Sequence, residues 1–224
     1  MSSEISAAAT AVIVRDGEKG IETLLLRRHR QLKVGGGHWV FPGGRIDPED
    51  YQAAVDDEHA ARIAGIRETQ EESGLVLDIE SLLFLSHWTT PPNMGRRFAT
   101  WFYLAAVNHD VTEVLVDGEE MDDFCWARPV EFLEQHRQGE LALLPPTVVT
   151  LDELHRCGDV ATAQQFYRER PVPFIAPLIT KHKDTVCMLY AGDAGYEKSD
   201  PDTRGAKNRC YLESGAWRYE YTLA

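Results

Sequence analysis

The chain is short of several things, and each shortage removes a class of explanation. Only four cysteines occur in 224 residues, Cys125, Cys157, Cys187 and Cys210, too dispersed for a CxxC pair or a Cys/His metal pattern. That usage fits buried apolar thiols in a reducing cytosolic compartment. No apolar run approaches the roughly 20 residues that span a bilayer. The N-terminal stretch carries an acid, Glu4, where a secretory leader would be basic, and the final Tyr-Thr-Leu-Ala matches no lipidation or SKL address. Export and membrane insertion are therefore not expected, and a cytoplasmic location is. Basic residues are scarce as well: 23 Lys and Arg stand against 36 Asp and Glu, a formal charge of -13. A surface of that sign repels polyanions, which argues against nucleic acid as a partner. A small anionic substrate stays open, because divalent cations and a few local Arg or Lys residues can invert the sign of one cleft.

What is present is an ordinary globular composition, 43% hydrophobic and 26% charged, with no internal repeat, low-complexity tract or long linker. One domain over residues 1–224 is expected. Apolar, partly β-branched runs from Ala7 to Arg15 and from Ile21 to Arg28, separated by Asp16-Gly17-Glu18-Lys19-Gly20, predict a hairpin. His38 to Val40 predicts a short strand ending in a sharp turn at Pro42-Gly43-Gly44. A helix is predicted from about Asp56 to Ser73, with Gly74 as its stop. Further strands are expected at Leu82–Leu85, Phe98–Val107, Glu113–Val116 and Phe124–Ala127. Helices follow from Pro129, over Pro146–Arg156 and over Asp159–Arg168, until Pro171, Pro173 and Pro177 break the pattern. Strand-like segments from about 179 to 224 read as an extension packed on the same domain. The fold class is mixed α/β (α+β), with helices covering a sheet.

The segment with chemical content is Arg67-Glu68-Thr69-Gln70-Glu71-Glu72-Ser73-Gly74-Leu75. On a helix Glu68, Glu71 and Glu72 fall at i, i+3 and i+4, so three carboxylates share one face. Like charges so placed repel unless a hard cation sits between them, which points to Mg²⁺ or Mn²⁺. A solvated acidic helix face is the alternative.

This segment resembles the second half of the Nudix box, G-x5-E-x7-R-E-U-x-E-E-x-G-U, where U is a bulky apolar residue. Arg67, Glu68, Glu71, Glu72, Gly74 and Leu75 match, and Thr69 takes the first apolar slot. Phe41-Pro42-Gly43-Gly44 resembles the entry to the box. Its spacing departs: twenty-three residues lead from Gly44 to Arg67 where the signature has fourteen, an insertion within about 45–66. Counting forward from Gly44 reaches Asp50; counting back from Arg67 reaches His59, beside Glu58. Asp50 or Glu58 supplies the upstream acid, or neither does.

The resemblance implies a Nudix fold, a mixed sheet sandwiched between helices, and metal-dependent hydrolysis of a diphosphate linkage in a nucleotide-containing small molecule. It implies Glu68, Glu71 and Glu72 as metal ligands, with Arg67 orienting its carboxylate neighbours. A further acid enters from the loop holding Glu113, Asp117, Glu119, Glu120, Asp122 and Asp123; Glu119 or Glu120 is expected, and Glu120 is placed with Arg67 and Glu71 in the catalytic set.

For the substrate, Leu24-Leu25-Leu26-Arg27-Arg28-His29 with Lys33, Gly37 and the FPGG is similar to the signature of Nudix coenzyme A diphosphatases, LLTxR(S/A)x3Rx3Gx3FPGG; Leu26, His29 and Lys33 depart from it. The insertion, the Arg96–Phe102 stretch and Leu144-Pro145-Pro146-Thr147 resemble the larger branch of those enzymes, whose animal members are peroxisomal. Candidate substrate contacts are Arg28, Lys33, Gly43, Gly44, Arg96 and Arg97. Coenzyme A or acyl-coenzyme A is the first expectation. ADP-ribose, dinucleotides and nucleotide sugars offer the same chemistry, and a non-catalytic nucleotide-sensing module is the reading from another class. A homodimer is expected by analogy alone.

Overall fold

In the computed structural model, residues 5–92, 94–108 and 113–222 are described. Glu4 and the last two residues, read above for targeting signals, lie outside them. The chain opens with β1 (Ile5–Gly17) and β2 (Gly20–Arg28), paired antiparallel across Glu18-Lys19. It continues through β3 (Trp39–Val40), β4 (Gly43–Arg45), α1 (Pro48–Gln52) and α2 (Asp57–Ser73). Then come β5 (Leu83–Thr89), β6 (Arg97–Ala106), β7 (Met121–Ala127), α3 (Pro129–Gln138), α4 (Pro145–Cys157) and α5 (Val160–Glu169). The last elements are β8 (Phe174–Ile175), β9 (Leu178–His182), β10 (Thr185–Leu189), β11 (Lys207–Glu213) and β12 (Ala216–Thr222).

The first eight strands form one mixed sheet in the order β3-β2-β1-β6-β5-β8, with β4 joined to β1 and β7 to β2. β1 runs parallel to β6 from Ile5↔Arg97 to Val14↔Ala106 and is covered on both faces. A strand buried on both faces reads as a continuous apolar run, and Ala7 to Val14 is one. On one face α2 sets Ala60, Ala61 and Ala64 against Ala9, Ala11, Leu24, Leu26 and Tyr103. On the other, α3, α4 and α5 enclose Val12, Val14, Leu25, Phe132, Leu151 and Tyr167. The expected sandwich of a mixed sheet between helices is observed.

Two local expectations are corrected. The turn expected at Pro42-Gly43-Gly44 continues as strand β4, where Gly44 faces Ala9 and Gly43 faces Thr10. Gly43 sits at φ 154, with the backbone of Ala9 and Thr10 where a Cβ would stand; glycine lets two backbones close up there. Glu113–Val116 has no strand assignment; its Leu115 amide instead donates to the Ser73 carbonyl just past α2. The strand-like tail forms its own antiparallel sheet, β12-β11-β10-β9. From it Met188, Tyr190 and Cys210 enter the same core as α4.

Candidate active site

Helix α2 starts where Asp56 accepts from the His59 amide, a cap worth about 1 kcal/mol. It ends at Gly74, whose left-handed φ of 73° stops it two residues past the acidic cluster. Between these ends its small residues let it lie close on β1: the position of a Gly65 Cβ is 3.7 Å from the Ala9 Cβ. That approach brings Glu68 down onto Gly44, where any side chain would strike the carboxylate. Thr69, at the apolar slot of the box, is fully buried and donates its hydroxyl to the Gly65 carbonyl at 2.7 Å, so it fills the slot with its polar group satisfied inside the helix.

The three glutamates occupy different environments. Glu71 is exposed, while Glu72 is 4% exposed and accepts from the Gly43 amide at 2.8 Å. Burial drives the Glu72 carboxyl up to about 8, against the Gly43 hydrogen bond; Glu68 and Glu120 add to the rise and Arg28 opposes it. Glu68 is also raised, by burial first, with Arg67 opposing. Carboxylates that share one helix face, one of them buried with little to stabilise its charge, suit a hard divalent cation once they turn toward it. Among the described residues no three acid, histidine or cysteine side chains converge closely enough, as they stand, to hold an ion. Glu68 and Glu71 are turned instead onto Arg67 Nη1, at 3.0 and 3.2 Å.

Arg67 has a further partner that the sequence left open. Asp50, 3% exposed in α1, receives Arg67 Nε at 3.2 Å and Nη2 at 2.9 Å, and the Arg67 Nη2 also donates to the Arg45 carbonyl. Burial pushes the Asp50 carboxyl up, but the hydrogen bonds from Arg67 and the Asp47 amide outweigh it and hold it below the usual range. Of the two candidate upstream acids, the structure brings Asp50 to the box arginine. Glu58 lies at the other end of α2, paired with Arg62 at 2.9 Å. Asp50 thus stands at the signature's glycine-to-acid distance from Gly44 and pairs with Arg67. Asp47, which the sequence reading did not single out, stands 3.7 Å from the same guanidinium.

Glu120 reaches this region from the loop before β7. Asp117 Oδ1 accepts from the Glu119, Glu120 and Met121 amides, fixing the turn, and Glu120 Oε2 lies 3.8 Å from Arg28 Nη2. Lys33 is exposed on the β2–β3 loop. Arg96 and Arg97 are not brought to the carboxylates: Arg97 faces Ile5 and Gly44 faces Ala9, about 13 Å apart along β1. Arg96 stacks over Phe98 and Arg97 donates to the Thr90 carbonyl.

Comparison with known proteins shows what the chain is similar to. The NUDIX domain family profile matches residues 6–145. The acyl-coenzyme A diphosphatase NUDT19 of Gallus gallus is 30% identical over 141 residues, 60% of this chain and 37% of the relative, so the chain spans little more than a third of that protein's length. The acyl-coenzyme A diphosphatase NUDT19 of Xenopus laevis is 23% identical, with 83% of this chain and 74% of the relative covered. A solved NUDIX hydrolase from Alicyclobacillus acidocaldarius superposes with a TM-score of 0.68 at 27% identity, covering 73% of this chain and 96% of its own.

Proposed function

The chain belongs to the NUDIX family of hydrolases, and from that premise we propose that it hydrolyses the diphosphate of coenzyme A or an acyl-coenzyme A, using Mg²⁺ or Mn²⁺ held by Glu68, Glu71 and Glu72. The observation that carries the reading is the placement of Glu68 against Gly44 and of Glu72 on the Gly43 amide, with Glu71 on the same helix and Arg28 and Glu120 alongside. The coenzyme A preference is supported by the named activity of the two vertebrate relatives and by Leu24, Leu25, Arg28, Gly37 and the FPGG at their signature spacing.

A bound divalent cation neutralises the diphosphate oxygens and lowers the pKa of a coordinated water. The chain's own groups do the rest. Arg28 binds a phosphate oxygen beside the scissile bond by a charge-assisted hydrogen bond. Glu120 accepts the proton of the water that attacks phosphorus. The bridging P–O bond breaks and its electron pair leaves with the second phosphate, giving 4′-phosphopantetheine and adenosine 3′,5′-bisphosphate from coenzyme A. Arg67 stays anchored on Asp50 and keeps the backbone of Glu68 and Glu71 in place, and these two carboxylates would turn from it to hold a cation. Lys33 steers the outer phosphates.

The test is release of adenosine bisphosphate or AMP from a panel of coenzyme A, acyl-coenzyme A, ADP-ribose, dinucleotides and nucleotide sugars, with Mg²⁺ or Mn²⁺. Wild type is expected to cut a coenzyme A species best, chelation to abolish turnover, and Glu71→Gln to lower it at least 100-fold. Better turnover of another class reassigns the substrate. Binding without turnover by the whole panel would replace the enzyme with a nucleotide sensor.

A further inference from the structure

On the sheet face opposite the carboxylates lies a second cleft of about 750 Å³, within the range of small-molecule sites. It opens between the β2–β3 loop, the end of α3 and the β11–β12 turn at Ser214-Gly215. Neighbouring residues of β2 serve the two faces: Arg28 approaches Glu120 on the α2 side, while Arg27 turns to Asp122 at 2.6 Å and over the Trp39 ring at 5.8 Å. Trp39, packed on the core beneath α3 with Arg27 over part of its ring, lines the cleft between them. The wall formed by His136 is fixed, because its Nε2 accepts from the Trp217 amide at 2.8 Å and its Nδ1 meets the Leu141 carbonyl at 3.1 Å.

The charges in this cleft are not self-satisfied. Asp122 and Asp123 neutralise Arg27, but among the described residues Arg30 has no ion-pair or hydrogen-bond partner for its guanidinium, and its stem lies along Gly37. Glu140 and Gln135 line the opposite side with an acceptor and an amide. A bare anion uses only Arg30. A molecule with one phosphate, a flat ring and hydrogen-bond donors uses Arg30, Trp39 and Glu140 together.

We propose that this cleft is a second binding site, separate from the catalytic one, for a nucleoside monophosphate, with its phosphate on Arg30, its base against Trp39 and its ribose hydroxyls or exocyclic amine on Glu140. The C-terminal extension contributes the Ser214-Gly215 turn to its lining. It asks nothing of the hydrolytic reaction, so it is testable without turnover.

The experiment is calorimetric titration of the full chain with AMP in the presence of EDTA, with inorganic phosphate and adenosine as separate probes. AMP is expected to bind one site, at least tenfold more tightly than either probe. Arg30→Ala and Trp39→Leu are each expected to weaken AMP at least tenfold, Arg28→Ala less than twofold. Because Arg30 is exposed, its variant is expected to keep the wild-type melting temperature and diphosphatase activity, which guards against misfolding of the Trp39 variant. Absence of AMP binding overturns the inference. So does binding lost in Arg28→Ala and retained in Arg30→Ala, which would place the nucleotide among the carboxylates.

Discussion

Arg67 donates hydrogen bonds to three carboxylates at once, with Asp47 a fourth at 3.7 Å, and burial decides which one matters as an anchor. Glu68 and Glu71 are the ones a cation would draw away, whereas Asp50 is 3% exposed and lies on a separate helix. A buried carboxylate that holds an arginine by two hydrogen bonds keeps that arginine compensated when its other partners leave. Asp50→Asn removes the charge while keeping the shape, leaving Arg67 to compete with the metal for Glu68 and Glu71. Metal affinity and turnover are expected to fall about 10- to 100-fold, as for partners that orient metal ligands elsewhere. Metal titration and steady-state kinetics measure this, and a change under twofold would mean that Asp50 only braces the fold.

The element that sets the carboxylates is α2, whose distance from β1 rests on Gly65 meeting Ala9. A methyl at Gly65 makes ordinary contact and removes a helix-interior glycine, so Gly65→Ala is expected to stabilise by up to about 1 kcal/mol with activity kept. Gly65→Leu has no such space; it lifts α2 from β1, moves Glu68 off Gly44 and is expected to cost at least tenfold in turnover. Thermal melts and kinetics on both variants check this, and full activity in Gly65→Leu would refute the packing argument. At this scale the sequence carries much of the answer. The Gly74 stop of α2, the hairpin at Glu18-Lys19 and the three glutamates follow from spacing and turn chemistry. Strand β4 does not, because Gly43 and Gly44 are read as turn residues when only the tertiary approach of β1 pairs them. Nor does the choice of Asp50 over Glu58: the extra residues can fall on either side of the acid, and only burial under Arg67 decides. The tail's separate sheet is equally hidden, since alternation marks strands but not the sheet that receives them.

At the scale of the whole molecule the question is whether the extension stands alone. Its own centre is a fully buried ion pair: Arg209 donates to both Asp193 oxygens and to the Pro201 carbonyl. Yet Met188, Tyr190 and Cys210 lie in the core shared with α4, and Trp217 is tied to His136 of α3. Burial works to raise the Asp193 carboxyl, but hydrogen bonds from Arg209 and from the Asn208 and Gly195 amides win and hold it below the usual range. A lowered carboxyl stabilises the fold above the ordinary aspartate range, near pH 4, and that stabilisation fades as pH falls through the folded value. We propose that the extension and the sheet unfold together, so protonating Asp193 undermines both. Heating between pH 7 and pH 3 is expected to give one calorimetric transition whose van't Hoff and calorimetric enthalpies agree, moving down below about pH 4. In Asp193→Asn the uncompensated Arg209 is expected to cost about 3–5 kcal/mol at pH 7, with a shallower acid dependence. A low-temperature transition that separates in this variant, leaving the main one unmoved, would make residues 179–222 an independent domain docked on the hydrolase.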